Sequence, residues 1–257
     1  MLTFSEAWNN LETLFRKQAE EDGAVYLPNF TPSGPVDHVL IAMEPSLGRW
    51  TKGDSPASRG QSAQRAIEAG FRNFMYSLED FLLHYAIQEY LCAPGQTYHV
   101  TDLSKAAMLV RDAEDQRAIR YGRWFHLLQK ELEAVAKPNA SKWAIGRTPW
   151  DYLRNQSLPI EQYVMHYSSQ ATRWHSAAIC GQEEEFEKFR RTISLSNVQK
   201  IANSVLDQHA IPESLKAETL QRLSRAKITD SRLALLFHYK AKFQRPAFYS
   251  NDIRYGK

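Results

Sequence analysis

The chain has 257 residues, 43% of them hydrophobic and 24% charged, with a formal net charge of +3. That length accommodates one large domain, or a domain with an appendage, around a core of ordinary density. No apolar run of about 18 residues and no basic-then-apolar leader is present, so neither a membrane span nor a secretory signal is predicted and a cytoplasmic protein is expected. Cys92 and Cys180 stand far apart without a CxxC pair. This argues against a zinc ribbon, a four-cysteine cluster or a disulfide framework, and no metal or other cofactor is expected. From Glu187 to Lys257 there are 14 Lys/Arg against 6 Asp/Glu; a tail so charged suits an anionic partner.

Apolar residues recur at helical spacing from Thr3 to about Glu21 (Phe4, Trp8, Leu11, Leu14, Phe15), which predicts a first helix with Ser5 as its cap. A segment rich in Pro, Asn and Gly from Leu27 to Pro35 then delivers the chain to the apolar run Val36 to Met43, too short for a helix between such breakers and expected as a central strand. The polar stretch Arg49 to Gln64 is expected as an exposed, ligand-handling loop. Arg65 to Leu91 reads as a helix ended by Ala93-Pro94-Gly95, Tyr98 to Thr101 as a second strand, Glu114 to Ala136 as a helix, and Trp143 to Gly146 as a third strand. A short helix starts over Pro149 to Arg154, and Gln162 to Met165 forms a fourth strand.

Strands alternating with helices predict a three-layer αβα fold around a central, mainly parallel four-stranded sheet. The last third reads only as helices, over Val198 to Leu206, Pro212 to Ser224 and Ser231 to Tyr239. The organisation expected is therefore an α/β domain over residues 1–192 with a basic helical extension, 193–257, packed on it.

Polar residues follow the strands: Met43-Glu44-Pro45-Ser46 after the first, Thr101-Asp102-Leu103-Ser104-Lys105 at the end of the second, Ala144-Ile145-Gly146 in the third, and His166-Tyr167-Ser168-Ser169 after the fourth. In an open parallel sheet, ligands bind beyond the carboxyl ends of the strands. Taken together and in order, these motifs, spread over Val36 to Arg173, resemble the uracil-DNA glycosylase superfamily. The resemblance implies a DNA glycosylase: the first motif supplies a water-activating acid or a water-binding turn, the second reads the flipped base, and the last carries a histidine that stabilises the leaving base.

Breaking an N-glycosidic bond develops positive charge on the sugar and negative charge on the base. On that reading Glu44, fixed by the turn at Pro45, orients or activates the water and offsets the sugar's charge, while His166 donates to the carbonyl oxygen of the base. The bland alternatives are a solvated turn at Glu44 and a histidine that satisfies a loop backbone at His166.

The second motif departs from the family pattern. Members that excise uracil place an asparagine where this chain has Asp102, and an ionised carboxylate only accepts hydrogen bonds. It therefore suits the exocyclic amine of cytosine and repels a carbonyl oxygen, unless Asp102 merely caps the turn after it. Because excising normal cytosine would destroy the cell's own genome, a modification must license the reaction. One branch of the superfamily removes glucosylated hydroxymethylcytosine from phage DNA in bacterial defence, and the Asp102 substitution makes this chain similar to it.

Phe74, Tyr98 and Trp50 are candidates to stack on the base. Arg49, Lys52, Arg59, Lys105, Ser168, Ser169 and Arg173 are candidate DNA contacts, with Gln170, Arg173 and Trp174 placed to fill the vacated stack. The basic tail residues Lys188, Arg190, Arg191, Lys240, Lys242 and Arg245 suit backbone phosphates or form a solvated face. DNA is the expected partner, with no membrane and no obligate protein partner. The alternatives are a general repair glycosylase for uracil, hypoxanthine or mismatched bases, and a non-catalytic DNA-binding protein of the same fold.

Overall fold

The computed structural model describes residues 3–47, 55–108, 117–167 and 179–244. In chain order the elements are α1 (Phe4–Glu21), β1 (Val25–Tyr26), β2 (Val36–Ala42), α2 (Pro56–Glu68), α3 (Leu78–Ala86), β3 (Tyr98–Asp102) and β4 (Ala106–Ala107). They continue with α4 (Arg117–Val135), β5 (Ala136–Ile145), α5 (Arg147–Asn155), β6 (Gln162–Val164), α6 (Glu183–Arg190), α7 (Leu195–Gln208), α8 (Glu213–Ser224) and α9 (Asp230–Phe243).

The sheet has four parallel strands in the order β3-β2-β5-β6. Alternation along β2 divides the core between its faces. Val39 and Ile41 pack with α1 and α4 through Phe15, Trp124 and Leu128, while Leu40 and Ala42 pack with α3 and the tail helices through Phe81, Leu82 and Val205. The result is the expected three-layer αβα architecture with a helical C-terminal part. α3 is buried on every side, and α7 and α9 pack against it. Each of Phe81, Leu82 and Leu83 is fully buried, and such burial is worth roughly 1.5–3 kcal/mol per side chain. The tail helices therefore cover an apolar surface that α3 would otherwise expose to water.

Several local expectations are corrected. Thr3, not Ser5, caps α1: its hydroxyl accepts from the Glu6 N–H at 3.3 Å and the Glu6 carboxylate accepts from the Thr3 N–H at 2.8 Å, a reciprocal pair that the three-residue spacing of Thr3 and Glu6 allows. The loop expected to Gln64 ends earlier, because Ser55 caps α2 and Pro56 opens it. The helix expected over Arg65 to Leu91 is broken between α2 and α3. Gly70 there has φ +102° and lies against Pro212, and Phe74 has φ 62°. β5 starts seven residues before the apolar signal, since its first half is largely exposed and carries no core pattern. The antiparallel pair β1–β4 and the helix α6 were not anticipated. Among the described residues no helix is long and apolar enough to cross a membrane.

Candidate functional site

Because β2, β3, β5 and β6 run parallel, Glu44, Asp102, Gly146 and His166 all fall at one edge of the sheet. Ala42 is the register partner of Asp102, and the ladder continues past the strands: Leu103 N–H donates to Ala42 O at 2.9 Å and Ser104 N–H to Met43 O at 3.0 Å. Glu44 is thereby held beside the turn after β3. The histidine end lies three strand spacings from β3, roughly 14 Å.

Asp102 is buried, and its Oδ2 accepts from two side-chain amides, Asn29 Nδ2 and Asn73 Nδ2, each at 2.9 Å. Burial raises its carboxyl to about 6, against the lowering by the Asn29 hydrogen bond, the Lys105 charge and the Asn73 hydrogen bond; Glu44 adds to the rise. Asn73 reaches this position through strain. The next residue, Phe74, sits in the left-handed region, which a bulky side chain occupies at a cost of about 1–3 kcal/mol. Asn73 N–H donating to Pro28 O at 2.8 Å and His84 Nε2 against Phe74 O at 3.1 Å pin the segment. Asn29 Nδ2 is also 3.4 Å from Val100 O, whereas Asn29 Oδ1 is buried with no hydrogen-bond partner. Such an orphan acceptor costs about 1–3 kcal/mol.

Glu44 is not an open carboxylate. Arg117 donates to Oε1 from Nε at 3.1 Å and from Nη2 at 2.9 Å, Arg120 Nη2 lies 3.6 Å from the same oxygen, and the Tyr121 hydroxyl donates to Oε2. These three residues occupy positions i, i+3 and i+4 of α4 and so share one helical face.

His166 follows β6 and stacks on Tyr167, with ring centroids 4.7 Å apart. Burial lowers its imidazole to about 4, so the ring is neutral at neutral pH. Its backbone is buttressed by α9: Met165 N–H donates to His238 Nε2 at 3.1 Å and the Tyr239 hydroxyl donates to Met165 O at 2.9 Å. Gly146, at φ 100°, lies beside His166: a Cβ there would make an ordinary contact of 3.5 Å with His166 Cβ. Phe74 and Tyr167, with centroids 5.6 Å apart, connect the Asp102 end to the His166 end.

Three assignments are corrected. Lys105 is no phosphate contact: it is buried, donating to Glu131 Oε2 at 2.5 Å and to Thr101 Oγ1 at 2.9 Å over the Phe15 ring. Lys105 and the His99 hydrogen bond outweigh the desolvation of Glu131 and bring its carboxyl down to about 2. Tyr98 lies at the opposite end of β3 from Asp102, roughly 13 Å away along the strand, with its hydroxyl against His84 Nδ1 at 2.8 Å. It therefore cannot stack on a base at the carboxyl edge. Phe74 is fully buried, so its ring offers no open face for stacking. Arg59 lies on α2, half-buried, with its Nε lacking a partner. Arg49, Trp50, Lys52, Ser168, Ser169, Gln170, Arg173, Trp174 and Arg245 lie outside the described residues. In the tail, Lys188 pairs with Glu184 at 2.7 Å, Arg190 with Asp230 at 3.1 Å, and Lys240 lies over the Phe189 ring.

Two adjoining clefts lined by described residues, of about 120 and 340 Å³, open at the opposite, amino-terminal edge, where Tyr98, Thr97, Gln208 and His209 line both. They face none of the polar residues that follow the strands. Residues not anticipated from sequence are Asn29, Asn73, Arg117, Arg120 and Tyr121. The i, i+3, i+4 spacing of the last three was a readable signal, while the two asparagines had none beyond their place among turn formers.

Searches against protein-family models, curated proteins and solved structures return no match to this chain.

Proposed function

We propose that this chain is a cytoplasmic, monofunctional DNA glycosylase. It hydrolyses the N-glycosidic bond of an extruded base carrying an exocyclic amine, foremost a glucosylated hydroxymethylcytosine, and leaves an abasic site, a reaction suited to defence against phage. The observation that carries this reading is the buried carboxylate of Asp102, gripped by two amides at the end of β3, on the same sheet edge as the neutral His166. Asp102 selects the amine. His166, kept uncharged by desolvation, donates to the base oxygen on which negative charge grows; a single donor of this kind is typically worth about 3–4 kcal/mol. Glu44, on the adjacent strand, is the carboxylate that faces the oxocarbenium-like sugar, and it also binds the guanidinium of Arg117, with Arg120 beside it.

The occupied oxygens of Glu44 favour one rival reading, a non-catalytic DNA-binding protein of this fold, because a carboxylate already accepting from Arg117 and Tyr121 is poorly placed to take a proton from water. Duplexes with a single glucosylated hydroxymethylcytosine, uracil or hypoxanthine, incubated with the protein and then treated with alkali, separate the readings. Scission at the modified cytosine supports the proposal, scission at uracil or hypoxanthine instead supports general repair, and binding without scission of any duplex supports the non-catalytic protein.

A further inference from the structure

The smaller of the two clefts at the amino-terminal edge touches Thr97, Tyr98, His99 and Val100 in succession. Side chains alternate along a strand: Tyr98 and Val100 join the core on the α3 side, while His99 meets Trp8 of α1. A cleft that touches all of them runs along the backbone, and β3 is an edge strand of the sheet. Its odd-numbered residues pair with β2, as His38 N–H donating to Thr97 O at 3.2 Å and Leu103 N–H donating to Ala42 O at 2.9 Å show. Tyr98 and Val100 therefore turn their N–H and C=O groups outward. Asn29 Nδ2 donates to Val100 O at 3.4 Å, but Tyr98 N–H, Tyr98 C=O and Val100 N–H have no hydrogen-bond partner among the described residues. The loop that shares the cleft begins and ends on Pro32 and Pro35, which carry no N–H, and it forms no ladder with β3.

We propose that this edge binds an uncharged nucleobase or nucleoside, whose ring edge donates to Tyr98 C=O and accepts from Val100 N–H. Adenine, cytosine and uracil each carry an N–H beside an acceptor, so both contacts form together. The walls suit a flat ring: Phe30 and His209 stack with centroids 4.4 Å apart, and His84 meets Phe30 at 5.8 Å. Among the described residues no Asp, Glu, Lys or Arg lines either cleft. Burial lowers His84 to about 3 and His209 to about 4, so both imidazoles are neutral at neutral pH and a charged ligand finds no counter-ion. The larger cleft shares Thr97, Tyr98, Gln208 and His209 with the first and gives a sugar room. A peptide strand fits less well. The three unpaired groups span one two-residue repeat, roughly 7 Å, and further along Asn29 and Lys105 occupy Val100 O and Asp102 O. The site lies at the opposite end of the strands from Glu44, Asp102 and His166 and acts independently of them.

The test is isothermal titration of the full chain with adenosine, cytidine and uridine in turn. At least one should bind with a Kd below about 1 mM. Its N-methylated counterpart (N6,N6-dimethyladenosine, N4,N4-dimethylcytidine or 3-methyluridine), which keeps the ring but loses the donor for Tyr98 C=O, should bind about tenfold more weakly. Gln208→Trp and Ala93→Trp change exposed residues at the cleft walls and fill the opening without touching the core, so each should weaken binding at least about tenfold with the unfolding midpoint unchanged. His166→Ala, at the other edge, should leave the affinity as it is. Absence of binding by all three nucleosides overturns the proposal, as does equal affinity for the methylated counterpart. Affinity that survives both tryptophan variants, or that falls in a folded His166→Ala protein, places the ligand elsewhere and overturns it too. Binding of an extended hexapeptide where no nucleoside binds would assign the edge to strand addition instead.

Discussion

Replacing Asp102 by asparagine should make the protein more stable and less selective, by amounts that depend on pH. Burial raises the Asp102 carboxyl from 3.8 to about 6, so its charged form is held at a cost above neutrality. Holding the charge in place costs about 3 kcal/mol. Since the folded value exceeds the unfolded one, the contribution of Asp102 to stability is fully present below the unfolded value and is lost as pH rises through about 6. Asparagine has nearly the same shape and leaves an oxygen to accept from Asn29 and Asn73, but it carries no charge. Its gain should therefore approach about 3 kcal/mol at pH 8 and shrink to about 1 kcal/mol near pH 4.5. At pH 8 that amounts to a rise in Tm of roughly 5–10 °C for a chain of this size. Urea unfolding of both proteins across this range measures it. A gain independent of pH, or a loss at pH 8, would refute the assignment of the shift to a desolvated carboxylate.

Other consequences concern the core, the histidines and the strand ends. Lys105→Met strands Glu131 in the interior and should cost about 3–5 kcal/mol in urea unfolding, most of it recovered when Glu131→Leu is added; a loss under 1 kcal/mol would show that the pair is not buried. Burial lowers His84 to about 3 and His166 and His209 each to about 4. The unfolded chain thus binds protons first, and Tm should fall steadily from pH 6.5 towards pH 4, against the opposite trend of Asp102; a flat profile would contradict this. Gly146→Ala forces a side chain into φ 100° beside His166 and should cost about 1–2 kcal/mol by thermal melting, with a larger proportional loss of base release. A fully stable Gly146→Ala protein would remove the conformational reason for the glycine.

The sheet was readable because Val36 to Ala42 is a dense apolar run between turn formers, and a strand buried on both faces needs such a run. β5 was only half readable, because its outer residues Lys137, Pro138 and Asn139 are exposed. α2 escaped detection because its first turns are polar and its helical signals are a serine cap and a proline. The edge carrying Glu44, Asp102 and His166 followed from strand ends in a parallel sheet, so it was legible in advance. What sat beside each residue was not. Lys105, one position past a motif serine, looks like a surface cation in sequence, and only the arrival of Glu131 from a helix 26 positions away makes it a core residue. In the same way Asn29 and Asn73 meet at Asp102 from segments with no common motif, joined by the Asn73 N–H donating to Pro28 O.

The central claim is hydrolytic release of an amine-bearing base at the carboxyl edge of the sheet. Its most direct test is mass spectrometry of the small molecules freed from a duplex containing one glucosylated hydroxymethylcytosine. The wild type should release the intact modified base in equal amount to the abasic sites formed, and a folded His166→Ala protein should release it at least about a hundredfold more slowly. An undamaged duplex after prolonged incubation with folded wild-type protein, or release unaffected by His166→Ala, would contradict the claim.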